Sequence, residues 1–240
     1  MSLVTIIQAA CAQSNVPVPS SVIGNTDQNV VQMLYLLNRE GKWLQRAYDW
    51  TLLRKESSFT TLAANQQIAD LTSYTDSASA SVTDWDRFVP GTMWDRTSVR
   101  PINPMTEVQY QNELARTAIG IFPRFIVRGT ALLFSPAPSA GNTVYFEYIS
   151  KNWCETSGGT EKAAFSVDTD VGILNEELLT QVVLWRFLKA KGLDYAEEFR
   201  RAELMFSALT GQQMPQPDLI VGGSNGYGAT DPYVPENGFG

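Results

Sequence analysis

The chain has 240 residues, of which 44% are hydrophobic and 18% are charged, and its formal net charge is −7. Histidine is absent, which excludes Ser-His-Asp and Cys-His catalysis, imidazole metal sites and imidazole pH switches. The acidic balance argues against a general nucleic-acid-binding protein, because such a protein carries a basic face for contacts with phosphate.

The two cysteines, Cys11 and Cys154, are far apart in the sequence and form no CxxC pair. This usage is typical of a reducing compartment rather than of a disulfide scaffold. No apolar run reaches membrane-spanning length, and the first residues lack the basic region of a signal peptide. We therefore expect a soluble protein without a membrane contact, assembled in a cytoplasm.

The N-terminal region, residues 1–50, is predicted to form two helices of a bundle. Residues 2–14 place apolar side chains at spacings of three and four, as on one face of a helix. Pro17 and Pro19 then stop this helix. Residues 24–27 offer a turn and N-cap residues for a second helix that ends near Asp49. Its predicted apolar positions are Val30, Val31, Leu34, Leu37, Leu44 and Tyr48.

Residues 51–170 are predicted to form an antiparallel β domain inserted between helical segments. A helix over residues 106–116, with Thr106 as its N-cap, interrupts the strands. Residues 72–83 are rich in Ser, Thr and Ala and are predicted to be a loop. A hairpin that turns at Gly129 is expected over residues 125–134. Further strands are predicted at residues 59–62, 88–94, 99–102 and 144–149.

Residues 84–96 contain the most informative stretch of the chain. The triplet Trp-Asp-Arg occurs twice, at residues 85–87 and 94–96, on either side of the turn signal Pro90-Gly91. One interpretation makes both tryptophans core residues, with weak surface Asp–Arg pairs. The other places aromatics and arginines against a neighbouring subunit, because Trp and Arg are frequent hot-spot residues. We favour the core for Trp94, and predict an interface formed by Trp85, Arg87, Arg96 and Arg100.

Residues 171–210 are predicted to form a C-terminal helical hairpin of the bundle. The first helix covers residues 174–191, and Gly192 ends it in a left-handed conformation. Asp194 then caps the next helix, with Glu197 completing a capping-box pattern. The whole fold class is therefore α+β, consisting of a helical bundle from both ends of the chain, an inserted antiparallel β domain and a flexible C-terminal tail.

The tail, residues 211–240, is rich in Gly, Pro, Asn and Gln and has no hydrophobic periodicity. Such a segment does not pack by itself, so it is either disordered or bound by a partner. Its glycine-rich residues 222–228 lack the strand and helix that a phosphate-binding loop requires.

Two carboxylate pairs could in principle serve a glycosidase: Asp84 with Asp86, and Glu176 with Glu177. Glu176 and Glu177 lie in the first turn of a predicted helix, where the helix dipole favours acidic groups. No P-loop, EF-hand or cysteine-metal spacing is present in the sequence. We therefore predict that the protein is not an enzyme and uses no cofactor or metal.

Four segments together resemble the phage head–tail adaptor family, of the tail tubular protein A type found in short-tailed phages. They are the opening helix with its proline link (residues 2–19), residues 86–96, residues 122–153 and residues 174–201. The resemblance is strongest at residues 86–96 (DRFVPGTMWDR) and 191–200 (KGLDYAEEFR). It covers residues 1–210 in segments and does not extend to the tail.

The resemblance implies a structural protein at the head–tail junction of the virion. It implies a dodecameric ring of self-associated subunits beneath the portal protein. This ring would extend the DNA channel and dock the tail nozzle or other tail proteins. DNA would pass through the ring without sequence-specific binding.

Site residues follow from this expectation. Residues 168–240 contain eleven acidic and five basic residues. Glu197, Glu198 and Glu203 are therefore expected to face the channel, where like charge repels phosphate. Tyr227, Tyr233 and Phe239 of the tail are expected to dock on the portal. Two alternatives remain open: a tail-associated, carboxylate-dependent hydrolase, and a monomeric ligand-binding module with the β domain as receptor.

Overall fold

The computed structural model describes residues 2–115 and 120–213. These residues form an α+β fold in which every sheet is antiparallel. The helices are α1 (Leu3–Gln13), α2 (Gln28–Ala47), α3 (Glu107–Ala115), α4 (Glu176–Lys191) and α5 (Ala196–Gln213). The strands are β1 (Arg54–Thr60), β2 (Gln66–Ile68), β3 (Tyr74–Thr75), β4 (Ser81–Val82), β5 (Trp85–Phe88), β6 (Trp94–Asp95), β7 (Arg100–Pro101), β8 (Arg124–Arg128), β9 (Ala131–Ser135), β10 (Thr143–Ser150), β11 (Cys154–Glu155), β12 (Glu161–Lys162) and β13 (Val171–Gly172).

Helices α1, α2, α4 and α5 share one apolar core, although they come from opposite ends of the chain. Side-chain caps begin two of them: Asp27 accepts a hydrogen bond from the Asn29 backbone N–H (2.8 Å), and Asn175 accepts one from that of Leu178 (2.9 Å). Such caps satisfy donors that have no partner within the helix. Gly192 ends α4 at φ 70°, as predicted.

The small sheet β12-β11-β13 contributes buried side chains to this helical core. Trp153 is fully buried there, and its ring meets that of Phe165 edge-on at 5.0 Å. Trp153, Cys154 and Phe165, which fall within the β domain predicted over residues 51–170, are buried in this helical core; the predicted domain boundary stays a prediction.

Strand β10 is the centre of the largest sheet, and β1 pairs with it from Arg54–Ile149 to Thr60–Thr143. On its other side β10 pairs with β5 at one end and with β6 at the other. A second sheet, β2-β9-β8, contains the predicted hairpin at Gly129, whose φ is 61°. The two sheets share the second apolar core, which includes Phe59, Phe134 and Phe146.

Several sequence predictions require correction. Residues 72–83 are not only loop, since β3 and β4 pair within them. The strand predicted over residues 88–94 is two strands, β5 and β6, because Gly91 turns the chain between them at φ 77°. Helix α5 continues to Gln213, so residues 211–213 belong to the helix rather than to the tail. Thr106 does cap α3, accepting a hydrogen bond from the Gln109 N–H (3.3 Å).

Among the described residues, no helix combines the length and the apolar character that crossing a membrane requires.

Candidate interaction surfaces

Asp84, which precedes β5, lies at the centre of a buried polar network. Its carboxylate accepts hydrogen bonds from the hydroxyls of Tyr148 and Ser150 (2.8 Å each) and from the Lys55 ammonium (2.7 Å). Lys55 also pairs with Glu161 of β12. The network therefore connects β1, β10 and the small sheet that packs on the helices.

The network shifts the pKa values of Asp84, Lys55 and Tyr148 in directions that preserve it. Burial opposes ionisation of Asp84, but the hydrogen bonds from Lys55, Ser150 and Tyr148 outweigh it and lower the pKa. Burial alone would lower the pKa of Lys55, whereas its bonds to Asp84 and Glu161 raise it. Burial and the Asp84 carboxylate together raise the pKa of Tyr148. At neutral pH the network holds an ionised Asp, an ionised Lys and a neutral Tyr.

Asp86 and Arg87 of β5 attach the sheet to the end of α2. The Arg87 guanidinium donates to Asp49 (2.9 Å from Nε), to Asp86 (2.7 Å) and to the Tyr48 carbonyl (3.0 Å). Gln45 of α2 donates to Asp86 (3.3 Å). The planar guanidinium suits this fork of acceptors, which a lysine could not match. All of these acceptors belong to the same chain as Arg87. The predicted contact of Arg87 with a neighbouring subunit stays a prediction.

The two tryptophans of residues 84–96 differ in their exposure to solvent. Trp94 is 42% exposed, so the prediction that it belongs to the core is wrong. Side chains alternate along a strand, and in β6 the inward position is taken by Asp95. Trp85 is partly buried against the β core and contacts Phe88, with ring centroids 5.5 Å apart. Packing in the core accounts for the Trp85 ring; its role at an interface stays a prediction.

Asp95 faces inward because it organises the loop that follows it. Its carboxylate accepts hydrogen bonds from the backbone N–H groups of Thr97 (2.9 Å) and Ser98 (2.8 Å) and from the Asn142 amide (2.7 Å). Burial opposes ionisation, but these bonds lower the pKa of Asp95. Beside it, the guanidinium of Arg96 lies 3.7 Å above the Tyr145 ring and pairs with Glu56 on the exposed face of the sheet.

Arg100 lies on an exposed surface at the end of the β part, which we call the β-end surface: Val99, Arg100, Ile121 and Phe122. The Arg100 guanidinium stands 4.8 Å above the Phe122 ring. Ile121 is 86% exposed, and Val99 has a φ of 52°, which is uncommon for a β-branched residue. A cavity of about 590 Å³ adjoins this surface and is also lined by the loop at residues 136–139. A receptor site in the β part would lie here.

A second exposed apolar surface lies on α2, and the sequence prediction missed it. Val31, Tyr35 and Trp43 stand at spacings of four and eight, so they share one side of the helix. Tyr35 is 67% exposed and Trp43 is 54% exposed. We call these three residues the α2 face. Val31 was expected in the core and is exposed instead, because neighbouring Val30 takes the buried position. The sequence signal that could have identified this surface was the presence of Tyr35 and Trp43 outside the core-facing positions of the helix.

The predicted channel-facing glutamates lie on α5. Glu197 and Glu198 both pair with Arg201 at 3.5 Å, and Glu203 is exposed. From Glu176 to Gln213 there are six acidic and five basic residues, so the helical hairpin itself is almost neutral. The acidic excess of the C-terminal part therefore comes from residues outside the hairpin. Tyr227, Tyr233 and Phe239 lie outside the described residues.

The carboxylate pairs that could serve catalysis have structural contacts. Asp84 and Asp86 are held as described above, and Glu176 and Glu177 stand in the first turn of α4. Both cysteines are buried, and burial raises the pKa of Cys154 to about 12. No group of three or more potential metal ligands occurs among residues 2–115 and 120–213.

Comparison with models of known protein families finds no match, and comparison with curated proteins finds no significant match. Function is therefore inferred from the residues and surfaces of the chain itself.

Proposed function

We propose that this protein is a structural head-to-tail adaptor of a bacteriophage, which forms a ring beneath the portal, extends the DNA channel and docks tail proteins. The proposal starts from the resemblance of residues 86–96 and 191–200 to such adaptors. One structural observation carries it further: among the exposed apolar side chains of the described residues, some lie on the α2 face and others on the β-end surface. A connector needs two such surfaces, because it binds partners on different sides.

The α2 face is the better candidate for contact between subunits of a ring. Aromatic side chains supply large contact area, and interface cores are enriched in them. The β-end surface, where Arg100 stacks on Phe122, is the candidate for a tail protein. The α2 face contains Trp43 and the β-end surface contains Arg100. Trp and Arg are residue types whose replacement by alanine at an interface often costs binding energy.

The Asp84 network and the Arg87 fork support an adaptor over the hydrolase alternative. Asp84 accepts three side-chain hydrogen bonds in a buried site, whereas a catalytic acid needs access to a substrate. Together these contacts stiffen the joint between helices and sheet. A stiff joint suits a protein that transmits load between a capsid and a tail.

The experiment measures the mass of the full-length protein by mass photometry over a range of concentrations, alone and with purified portal protein. Electron microscopy then shows whether the assemblies are rings. We expect rings, in solution or on the portal. Tyr35→Asp should reduce ring formation without lowering Tm, whereas the matched control Leu62→Asp, on an exposed site outside both surfaces, should not. A protein that stays monomeric with portal present and cleaves peptidoglycan would contradict the proposal.

The tail has its own test within this proposal. Replacing Tyr227, Tyr233 and Phe239 together by Ala should weaken attachment to the portal while leaving ring formation unchanged. A triple variant that attaches as tightly as the wild type would remove these residues from the portal interface.

A further inference from the structure

Helices α2, α4 and α5 enclose an apolar groove of about 300 Å³. Its floor consists of the buried side chains of Leu44, Leu178, Val182 and Ala202. Three partly or largely exposed aromatics border it: Trp43, Phe199 and Phe206. The ring of Trp43 contacts that of Phe206 (centroids 6.3 Å apart), and Phe199 packs on the buried Trp185 (5.0 Å). Among the residues that the structure describes, Arg186 and Glu203 are the charged ones that line it.

The helix that forms one wall of the groove leads directly into the last part of the chain. Helix α5 ends at Gln213, and the Tyr48 hydroxyl donates to the Thr210 carbonyl (3.2 Å), which holds this end of α5 beside the end of α2. The remaining 27 residues, 214–240, begin at this point. They are therefore the chain segment with the shortest path to the groove.

The sequence of this segment contains one stretch suited to an apolar groove. Leu219, Ile220 and Val221 form its longest uninterrupted apolar run. Pro215 and Pro217 precede the run and favour an extended backbone or a turn. Gly222 and Gly223 follow it, and no lysine or arginine occurs between residues 214 and 240.

The lengths of the groove and of the segment match. An α-helix rises about 1.5 Å per residue, so Phe206 lies about 10 Å and Phe199 about 21 Å before the end of α5. An extended chain advances about 3.3 Å per residue. If residues 214–216 reverse the direction of the chain, position 219 reaches the level of Phe206 and position 221 the level of Ala202.

We propose that Leu219, Ile220 and Val221 dock in the groove between α2, α4 and α5 of their own chain. The short connection gives the segment an effective concentration on the order of millimolar, so that three apolar side chains suffice for occupancy. Docking covers Phe199 and the side of Trp43 that contacts Phe206, and it leaves Val31 and Tyr35 of the α2 face free for a neighbouring subunit. It also fixes where the rest of the tail leaves the helical part, so that Tyr227, Tyr233 and Phe239 start from a defined position. The inference is independent of the phage assignment.

Photo-crosslinking in the full-length protein tests the location. A photoreactive phenylalanine analogue replaces Ile220, and equal amounts of ¹⁵N-labelled and unlabelled protein are mixed before irradiation. We expect crosslinks to peptides containing Trp43 or Phe199, joined within one isotopic form. Crosslinks between labelled and unlabelled peptides would show that a second copy takes the segment, and crosslinks outside the groove would place it elsewhere; each result overturns the proposal.

Amide hydrogen exchange tests the energetics with matched variants. In the wild type, the backbone amides of residues 219–221 should exchange at least about tenfold more slowly than those of an unstructured peptide. Such a reduction corresponds to a segment that is docked in most molecules. Leu219→Asp with Ile220→Asp should abolish this protection, and so should Trp43→Asp on the groove side. The control, Tyr227→Asp with Tyr233→Asp, adds the same charge and should retain it. Wild-type exchange at the unstructured rate, or equal protection in all variants, would refute docking; circular dichroism confirms that each variant is folded.

Discussion

Gly41 of α2 lies directly beneath the indole ring of Trp153. A Cβ atom at position 41 would overlap the ring carbons of Trp153, which is fully buried and donates its indole N–H to the Ala163 carbonyl (2.9 Å). The absence of a side chain at one position of a helix thus allows the small sheet to pack closely on that helix.

Gly41→Ala should therefore destabilise the protein, although alanine is favoured over glycine in a helix by about 1 kcal/mol. Overpacking of a rigid buried ring typically costs about 1–3 kcal/mol, and the overlap here is severe enough to exceed the gain in helix propensity. Urea denaturation measures the change. Gly211→Ala in α5 is the matched control, because no atom of the described residues lies within 4 Å of its Cβ position; it should be neutral or stabilising. Equal effects of the two substitutions would contradict the packing described.

The left-handed end of α4 gives a second prediction. Gly192 has φ 70° and ψ 20°, so Gly192→Val forces a β-branched residue into a left-handed backbone. We expect a loss of about 1–2 kcal/mol or more, and a smaller loss for Gly192→Asn, since Asn tolerates this conformation. In thermal denaturation, Tm should fall in the order wild type, Gly192→Asn, Gly192→Val.

Asp194→Ala removes the acceptor for the Ala196 N–H (3.1 Å). This substitution should lower the free energy of unfolding by about 1 kcal/mol.

Arg87→Lys should weaken the joint between α2 and β5. Lysine keeps the charge but cannot donate to Asp49, Asp86 and the Tyr48 carbonyl at once. We expect a loss of about 1–2 kcal/mol in the free energy of unfolding. Arg96→Lys is the control, since both members of the Arg96–Glu56 pair are about half exposed and exposed pairs contribute about 0–1 kcal/mol. A larger loss at position 96 than at position 87 would contradict the assignment of Arg87 to the joint.

The Asp84 network predicts how stability depends on pH. The pKa of Asp84 is lower in the folded protein than its ordinary value, so its contribution is present above the unfolded-state pKa and is lost as pH falls through the folded-state pKa. The pKa of Lys55 is raised, so its contribution is lost only as pH rises through that raised value, above about 10.4.

Denaturation curves between about pH 2 and pH 6 test the acid side of this prediction. Asp84→Asn should be less stable at pH 6 and should lose less stability than the wild type on acidification. Lys55→Met should shift the acid loss to higher pH, because the partner that lowers the pKa of Asp84 is gone. An Asp84→Asn protein with an unchanged acid slope would show that Asp84 does not contribute to it.

Features set by neighbours in the sequence were predictable from it. The cap at Thr106, the turn at Gly129 and the left-handed end at Gly192 all depend on a few consecutive residues, because the hydrogen bonds and the φ values concerned are local. The apolar spacing of α1 and α4 likewise indicated their core-facing sides. The α+β class followed from these elements.

Features set by distant residues were decided only by the tertiary structure. Whether Trp85 or Trp94 faces the core depends on which partner strand covers each side of β5 and β6, and the alternation of side chains alone permits either choice. The Arg87 guanidinium donates a hydrogen bond to Asp49, and the Asp84 carboxylate accepts hydrogen bonds from Tyr148 and Ser150. In each case the partners are distant in the sequence. Residues 153–172 joined the helical core because Gly41 leaves room for Trp153. Such contacts follow from packing in three dimensions, and the spacing of apolar residues along the sequence does not determine them.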